Sequence, residues 1–135
     1  MSDERTRPGR HLAAFALALL AQTPDHGRNL HRRMNAILPK ALRVDTGNLY
    51  RALRELEVRK MLRSAWVMEG PGPAKRIYNI TTAGTAALVL WRTDISDRRD
   101  AFDWFLRNTQ AFVDSEDRTK GQKDAHESFI QAHFT

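Results

Sequence analysis

No cysteine occurs among the 135 residues. That excludes disulfides and every thiolate-based metal site. Long apolar runs are missing too. The longest uncharged apolar stretch, Leu12 to Ala21, has ten residues, against the roughly 20 needed to cross a bilayer. The layout of a secretory signal is also absent, so the expected location is cytoplasmic, with no membrane partner. There is no internal repeat and no low-complexity tract. A catalytic constellation is lacking as well. The glycines of Gly70-Pro71-Gly72 sit between strand-like segments and open no helix, so they form no phosphate loop. His26 and His31 are five apart and do not share a helical face. His126 and His133 are seven apart, which puts them about 10 Å apart along a helix, too far for one metal. No enzyme activity, cofactor or metal is expected.

Positive charge is abundant and uneven. The net charge is +6. Residues 1–80 hold 15 Lys/Arg against 7 Asp/Glu, and residues 81–135 hold 7 against 9. A basic half joined to a near-neutral half suits a polyanion-binding module with a separate interaction segment. A winged helix needs about 70–80 residues, which leaves the remainder for another task.

The order of elements sharpens this. Residues 1–10 are polar and read as a flexible arm. His11 to Gln22 is apolar almost all round, as a central core helix is, and stops at Thr23-Pro24. Asp25 is placed to cap a second helix, in which Leu30, Met34, Ile37 and Leu38 form one apolar stripe ending before Pro39. After a loop over Lys40 to Val44, Asp45 is a good N-cap for a third helix. Leu49, Ala52, Leu53 and Leu56 make its buried stripe, while Asn48, Arg51, Arg54 and Glu55 project elsewhere. From Leu62 to Met68 the pattern is strand-like. Glu69 to Ala74 holds two Pro and two Gly and makes a tip, and Lys75 to Ile80 returns as a second strand. Thr81 or Thr82 then caps a long helix reaching about Asn108. Its seam of Leu88, Trp91, Ile95, Phe102 and Phe105 is heptad-like, with Arg98 breaking the series. Residues 123–135 are compatible with one more short helix. The expected class is mostly α with a small β-hairpin (α+β). It comprises a flexible arm over 1–10, a winged helix-turn-helix over 11–81, a C-terminal dimerisation helix over 82–113 and a polar tail over 114–135.

A helix followed by a basic hairpin is the working surface of a winged helix-turn-helix. The first turns of such a recognition helix face base edges in the major groove. Here they carry Thr46, Asn48 and Arg51. Asn pairs bidentately with adenine and Arg with guanine; Thr46 suits a phosphate or a thymine methyl. Arg32, Arg33, Arg43 and Arg54 are candidate phosphate clamps, which set position without reading sequence. Lys75 and Arg76 lie on the wing. Tyr50 has two readings, core residue or ring at the helix edge with its hydroxyl on a phosphate. The long helix also has two, pairing with a second copy or folding back on its own core.

The stretch from Thr46 to Leu53 (Thr-Gly-Asn-Leu-Tyr-Arg-Ala-Leu), followed by Leu56-Glu57, resembles the recognition helix of PadR-like transcriptional regulators. Arg76 to Gly84 (Arg-Ile-Tyr-Asn-Ile-Thr-Thr-Ala-Gly) resembles that family's second wing strand and the start of its C-terminal helix, and His26-Gly27 fits as well. The likeness covers roughly residues 11–92. It implies a dimeric repressor on a roughly palindromic duplex operator, paired through the C-terminal helix. Known effectors in the family include phenolic acids and flat aromatic drugs. By this resemblance Thr46, Asn48, Tyr50 and Arg51 face DNA and Arg76 lies on the wing. Trp91 either lines an effector site or is dimer core. Two positions depart from the family pattern. Lys60 stands where a Gly is usual, at a cost of about 1 kcal/mol if φ is positive there, and Arg28 replaces an aromatic. The rival readings are a winged helix that binds only protein, and a MarR-type regulator whose dimer uses both termini.

Overall fold

The computed structural model describes residues 11–116 and residue 130. The arm over 1–10 and most of the tail lie outside the described residues. The elements are α1 (Leu12–Gln22), β1 (Asp25–His26), α2 (Gly27–Ile37), a 3-10 turn (Lys40–Leu42), α3 (Thr46–Val58), β2 (Leu62–Val67), β3 (Lys75–Ile80) and α4 (Thr82–Glu116). This is the expected class, helices with a small antiparallel sheet. The chain forms two compact units divided between Arg92 and Thr93, further along than the junction at 81/82 read from the sequence. The reason is packing. Gly84 and Ala87 are buried, and Leu88 and Trp91 lie against the core of the first unit, so the first turns of α4 belong to it.

That core is built on α1. Leu12, Ala14, Ala16, Leu17, Leu19 and Leu20 are all buried, which accounts for a helix apolar on nearly every side. Leu17, Leu20, Leu30, Met34, Leu49, Leu53 and Leu62 are the largest fully buried side chains, each contributing about 1.5–3 kcal/mol relative to exposure. The α2 stripe is shorter than its spacing suggests. Leu30 and Met34 are buried, but Ile37 is exposed. The helix ends there because Leu38 precedes Pro39 and takes an extended conformation.

The sheet has three strands in the order β1-β3-β2, all antiparallel. β1 was not legible, since two residues after Pro24 have no pattern of their own; their pairing with Tyr78 and Ile77 makes the strand. This strand displaces the expected cap of α2 by one residue. His26 is the N-cap, its Nδ1 accepting from the Asn29 N–H at 3.4 Å. Asp25 instead lies buried, accepting from Asn29 Nδ2 at 2.6 Å, Arg33 Nη1 at 2.9 Å and its neighbour's N–H at 2.8 Å.

Burial alone would raise the Asp25 pKa, but the Arg33, Asn29 and His26 bonds outweigh it and hold the carboxyl below its ordinary value. A depressed native pKa means stability that is present above the unfolded value, near 3.9, and lost as pH falls through the native one. Asp25→Asn should therefore lower unfolding free energy by about 2–3 kcal/mol at pH 7, where Arg33 is left without its counter-charge. It should also flatten the acid limb below about pH 4. Urea titrations of both proteins from pH 3 to 7 check this; parallel acid limbs would refute it.

The α3–β2 junction shows how the chain manages without a glycine. Lys60 has φ 64°. Its N–H donates to Glu57 O at 3.0 Å, and Met61 N–H donates to Leu56 O at 2.9 Å, a Schellman pair that closes α3. The left-handed residue is thus needed here and is carried by Lys, at the strain of about 1 kcal/mol expected for a side chain in that region.

Candidate nucleic-acid interface

Three devices set α3. At its start, the Asp45 carboxylate accepts from the Asn48 N–H at 2.7 Å. Before it, Asn35 clasps the backbone of Val44 at both ends: its Oδ1 accepts from Val44 N–H at 2.9 Å, and its Nδ2 donates to Val44 O at 2.9 Å. His31 Nε2 lies 2.7 Å from the same carbonyl and 3.1 Å from Asn35 Nδ2. Nothing in the sequence marks Asn35 or His31, because their partner is backbone thirteen or fewer residues away rather than a patterned side chain. Along its length, Leu49, Leu53 and Leu56 are buried, which turns the opposite side outward.

That outward side carries a chain of side chains at three-residue spacing. Asn48 Nδ2 donates to Asp45 Oδ2 at 3.1 Å, and Arg51 Nη1 donates to Asn48 Oδ1 at 2.6 Å. Thr46, Arg51 and Arg54 are exposed. Arg32 on α2 and Arg43 just before α3 are exposed too, as is Lys75 at the start of β3. These cations and Thr46 are thus exposed on α2, on the link before α3, on α3 itself and on the wing. Arg33 is not among them. Its guanidinium is spent inside the first unit, on Asp25 and on Leu19 O at 2.7 Å, so it serves packing, where the sequence had suggested a phosphate clamp. Tyr50 is part packed and part exposed. A Cβ at Gly27 would come within 2.4 Å of the Tyr50 ring, so the ring lies across the start of α2, yet 41% of the residue stays exposed. This also explains Gly27 in the His-Gly pair.

On the wing, Arg76 is held rather than idle. Its Nε donates to Ser64 Oγ at 2.7 Å and its Nη2 to Glu57 Oε1 at 3.1 Å. Ser64 Oγ donates to Glu57 Oε2 at 2.5 Å. The Ser64 bond and the Arg76 charge keep the Glu57 pKa below its ordinary value. Burial pushes the Tyr78 hydroxyl the other way, upward.

The geometry is that of a recognition helix beside a braced hairpin. A family model described as the transcriptional regulator PadR-like family matches residues 16–89, more than half of the chain. The chain belongs to the PadR-like family of transcriptional regulators. Members regulate transcription and bind DNA rather than catalyse a reaction, so this PadR-like chain is a DNA-binding regulator.

Solved structures agree on the fold. A PadR family transcription regulator from hypervirulent Clostridium difficile is 16% identical, covering 71% of this chain and 98% of its own, with a TM-score of 0.63. A PadR-like transcriptional regulator from Bacillus cereus is 20% identical, covering 70% and 90%, with a TM-score of 0.61. A conserved protein of unknown function, described as a potential transcriptional factor, is 26% identical over 79% of this chain and 94% of its own, with a TM-score of 0.65. No curated protein matches.

The PadR-like seam on α4 divides between the two units. Leu88 and Trp91 pack on the core of their own chain, and Trp91 meets the His11 ring edge-on with centroids 5.6 Å apart. Ile95 is half-buried, while Phe102 and Phe105 are 63% and 58% exposed. The structure thus separates residues that a single seam had joined. No helix among the described residues is long and apolar enough to cross a membrane.

Proposed function

We propose that this regulator is a homodimeric repressor acting in the cytoplasm on a roughly palindromic duplex operator. The observation that carries the reading is the exposed Asp45–Asn48–Arg51 chain on the first turns of a helix whose other side is buried. Placed in a major groove, α3 offers Arg51, Asn48 and Thr46 to base edges. Arg32, Arg43, Arg54 and Lys75, exposed on α2, the link, α3 and the wing, suit phosphates, as does the Tyr50 hydroxyl. A second copy doubles this surface at a fixed spacing, and a bound dimer blocks the operator to other proteins.

Pairing is supported by the helix of the second unit. Phe102, Phe105, Leu106, Phe112 and Val113 are all exposed; Phe105 and Leu106 follow Phe102 by three and four residues, and Phe112 and Val113 follow those two by seven. Such an apolar stripe on a surface helix calls for cover, and a second copy of the same helix supplies it. Release by a small aromatic ligand completes the reading. The exposed rings of Phe102, Trp104 and Phe105 offer flat surfaces to such a ligand when two copies meet, while Trp91 is occupied by its own core.

Selection of bound sites from random duplex DNA tests the reading. A two-fold symmetric site bound more weakly at higher salt is expected, because each neutralised phosphate releases counterions. Recovery of no preferred duplex would favour a winged helix that binds only protein. For the dimer, Phe102→Ala with Phe105→Ala should weaken self-association by at least about 100-fold, given roughly 1.5–3 kcal/mol for each buried ring. Light scattering at micromolar protein reads this directly; an unchanged dimer mass would place the interface elsewhere.

A further inference from the structure

Trp66 is 67% exposed near the tip of the hairpin, yet it is not a stray surface residue. It lies opposite Arg76 across the β2–β3 ladder, in the row that continues through Ser64 and Tyr78 to Leu62 and Ile80. At the base of the hairpin this row is core, with Leu62 and Tyr78 buried. Further out it emerges into solvent with Trp66 and Arg76. The Arg76 guanidinium stands 5.8 Å from the centre of the Trp66 ring and 6.0 Å from that of Tyr78, within reach of a cation–π contact.

The bracing comes from the recognition helix itself. Glu57, on α3, takes Ser64 with one carboxylate oxygen and Arg76 with the other. Ser64 in turn accepts from Arg76 Nε. One carboxylate of α3 therefore fixes both strands of the hairpin and, through Arg76, lines up the indole. It also offsets the charge of Arg76. The outermost rung of this face is then a broad apolar ring on a neutral support, standing on the same side of the hairpin as α3. When a recognition helix lies in the major groove, the wing beside it reaches the neighbouring backbone or minor groove. An apolar side chain suits the minor groove, where such residues press on sugars or wedge at base steps.

We propose that Trp66 is a DNA-contacting residue of the wing, its indole packed in the minor groove flanking the half-site, and that Glu57, Ser64 and Arg76 are the residues that position it. This deepens the operator reading and rests on it. It also gives Arg76, placed on the wing from the sequence, the task of positioning a neighbour. The pyrimidine–purine steps that open most easily under a wedge become the preferred flanks.

The test uses a duplex recovered by selection and the full chain. Trp66→Ala should raise Kd roughly tenfold, and Trp66→Phe should recover part of the loss, at an unchanged slope of log K against log salt, since no phosphate contact is removed. Wild-type tryptophan emission should change on adding the duplex, and that change should shrink in Trp66→Phe. Selection repeated with Trp66→Ala should lose the flanking preference, which a purely structural role would leave in place. The double variant Glu57→Gln with Arg76→Met removes one charge of each sign; affinity should fall while the salt slope holds. A slope lower by about one would put Arg76 on a phosphate and overturn the assignment, as would Trp66→Ala binding within twofold of wild type. In both of those outcomes the operator reading stands. If the wild-type chain prefers no duplex at all, both fall together.

Discussion

Replacing Arg51 with alanine should weaken binding to the selected operator by about 10–100-fold, the scale of one bidentate base contact at about 1–3 kcal/mol. Binding to a scrambled duplex should fall by less than about threefold at the same salt. The difference follows from where Arg51 stands. It lies on the second turn of α3, exposed, with one nitrogen bonded to Asn48. A guanidinium has five donors in a rigid fork, so the remaining ones can reach a guanine O6/N7 edge while the side chain keeps its partner. Asn48 keeps a similar reserve. Its amide donates one hydrogen to Asp45 and accepts from Arg51, which aims Arg51 and leaves a second N–H and a second lone pair for a base edge. Fluorescence anisotropy on the two duplexes decides the matter; equal losses on both would make Arg51 a phosphate contact.

Gly84→Ala should lower unfolding free energy by about 2–3 kcal/mol, the range for overpacking a close-packed site. A Cβ at Gly84 would lie 2.3 Å from the Met61 carbonyl oxygen and 2.6 Å from an Ile80 side-chain carbon. The first of these is backbone and cannot swing aside. It is also already in use, since Met61 O accepts from Thr81 N–H at 3.1 Å. Thr81 Oγ1 adds a bond to Lys60 O at 2.6 Å and accepts from Gly84 N–H at 3.1 Å. The start of α4 is thereby clamped onto the turn that closes α3. Crowding at Gly84 should disturb the recognition helix as well as stability. Thermal and urea melts measure the first effect, and operator affinity well below the melting range measures the second. An alanine variant as stable as wild type would mean that the helices separate at little cost.

Much of this was legible in the amino-acid order. Alternating and helical periods set the elements, because burying one face of a helix or hairpin demands apolar residues at fixed steps. Asp45 was readable as the cap of α3, and Leu49, Leu53 and Leu56 as its buried side, because both signals are local. The positive φ that a glycine usually serves could be tied to Lys60, since helix ends have few ways to close. Arg33 was misjudged for a physical reason. Its partner Asp25 is eight residues away, and an arginine bound to a carboxylate looks in sequence like any other arginine. For Leu88 and Trp91, half-buried against the core of their own chain, the heptad pattern does not say whether its cover is the same chain or another.

The sequence by itself determined the class, the order of helices and hairpin, and the helix that faces outward with Thr46, Asn48 and Arg51. Tertiary structure alone decided which charges are left for a partner: Arg33 is drawn into the core by Asp25, Arg76 is held by Glu57, and Arg32, Arg43 and Arg54 stay at the surface. The reason is range. Periodicity and capping act within a few residues and are written along the chain, whereas the partner of a charge is fixed only when segments far apart in sequence are packed together.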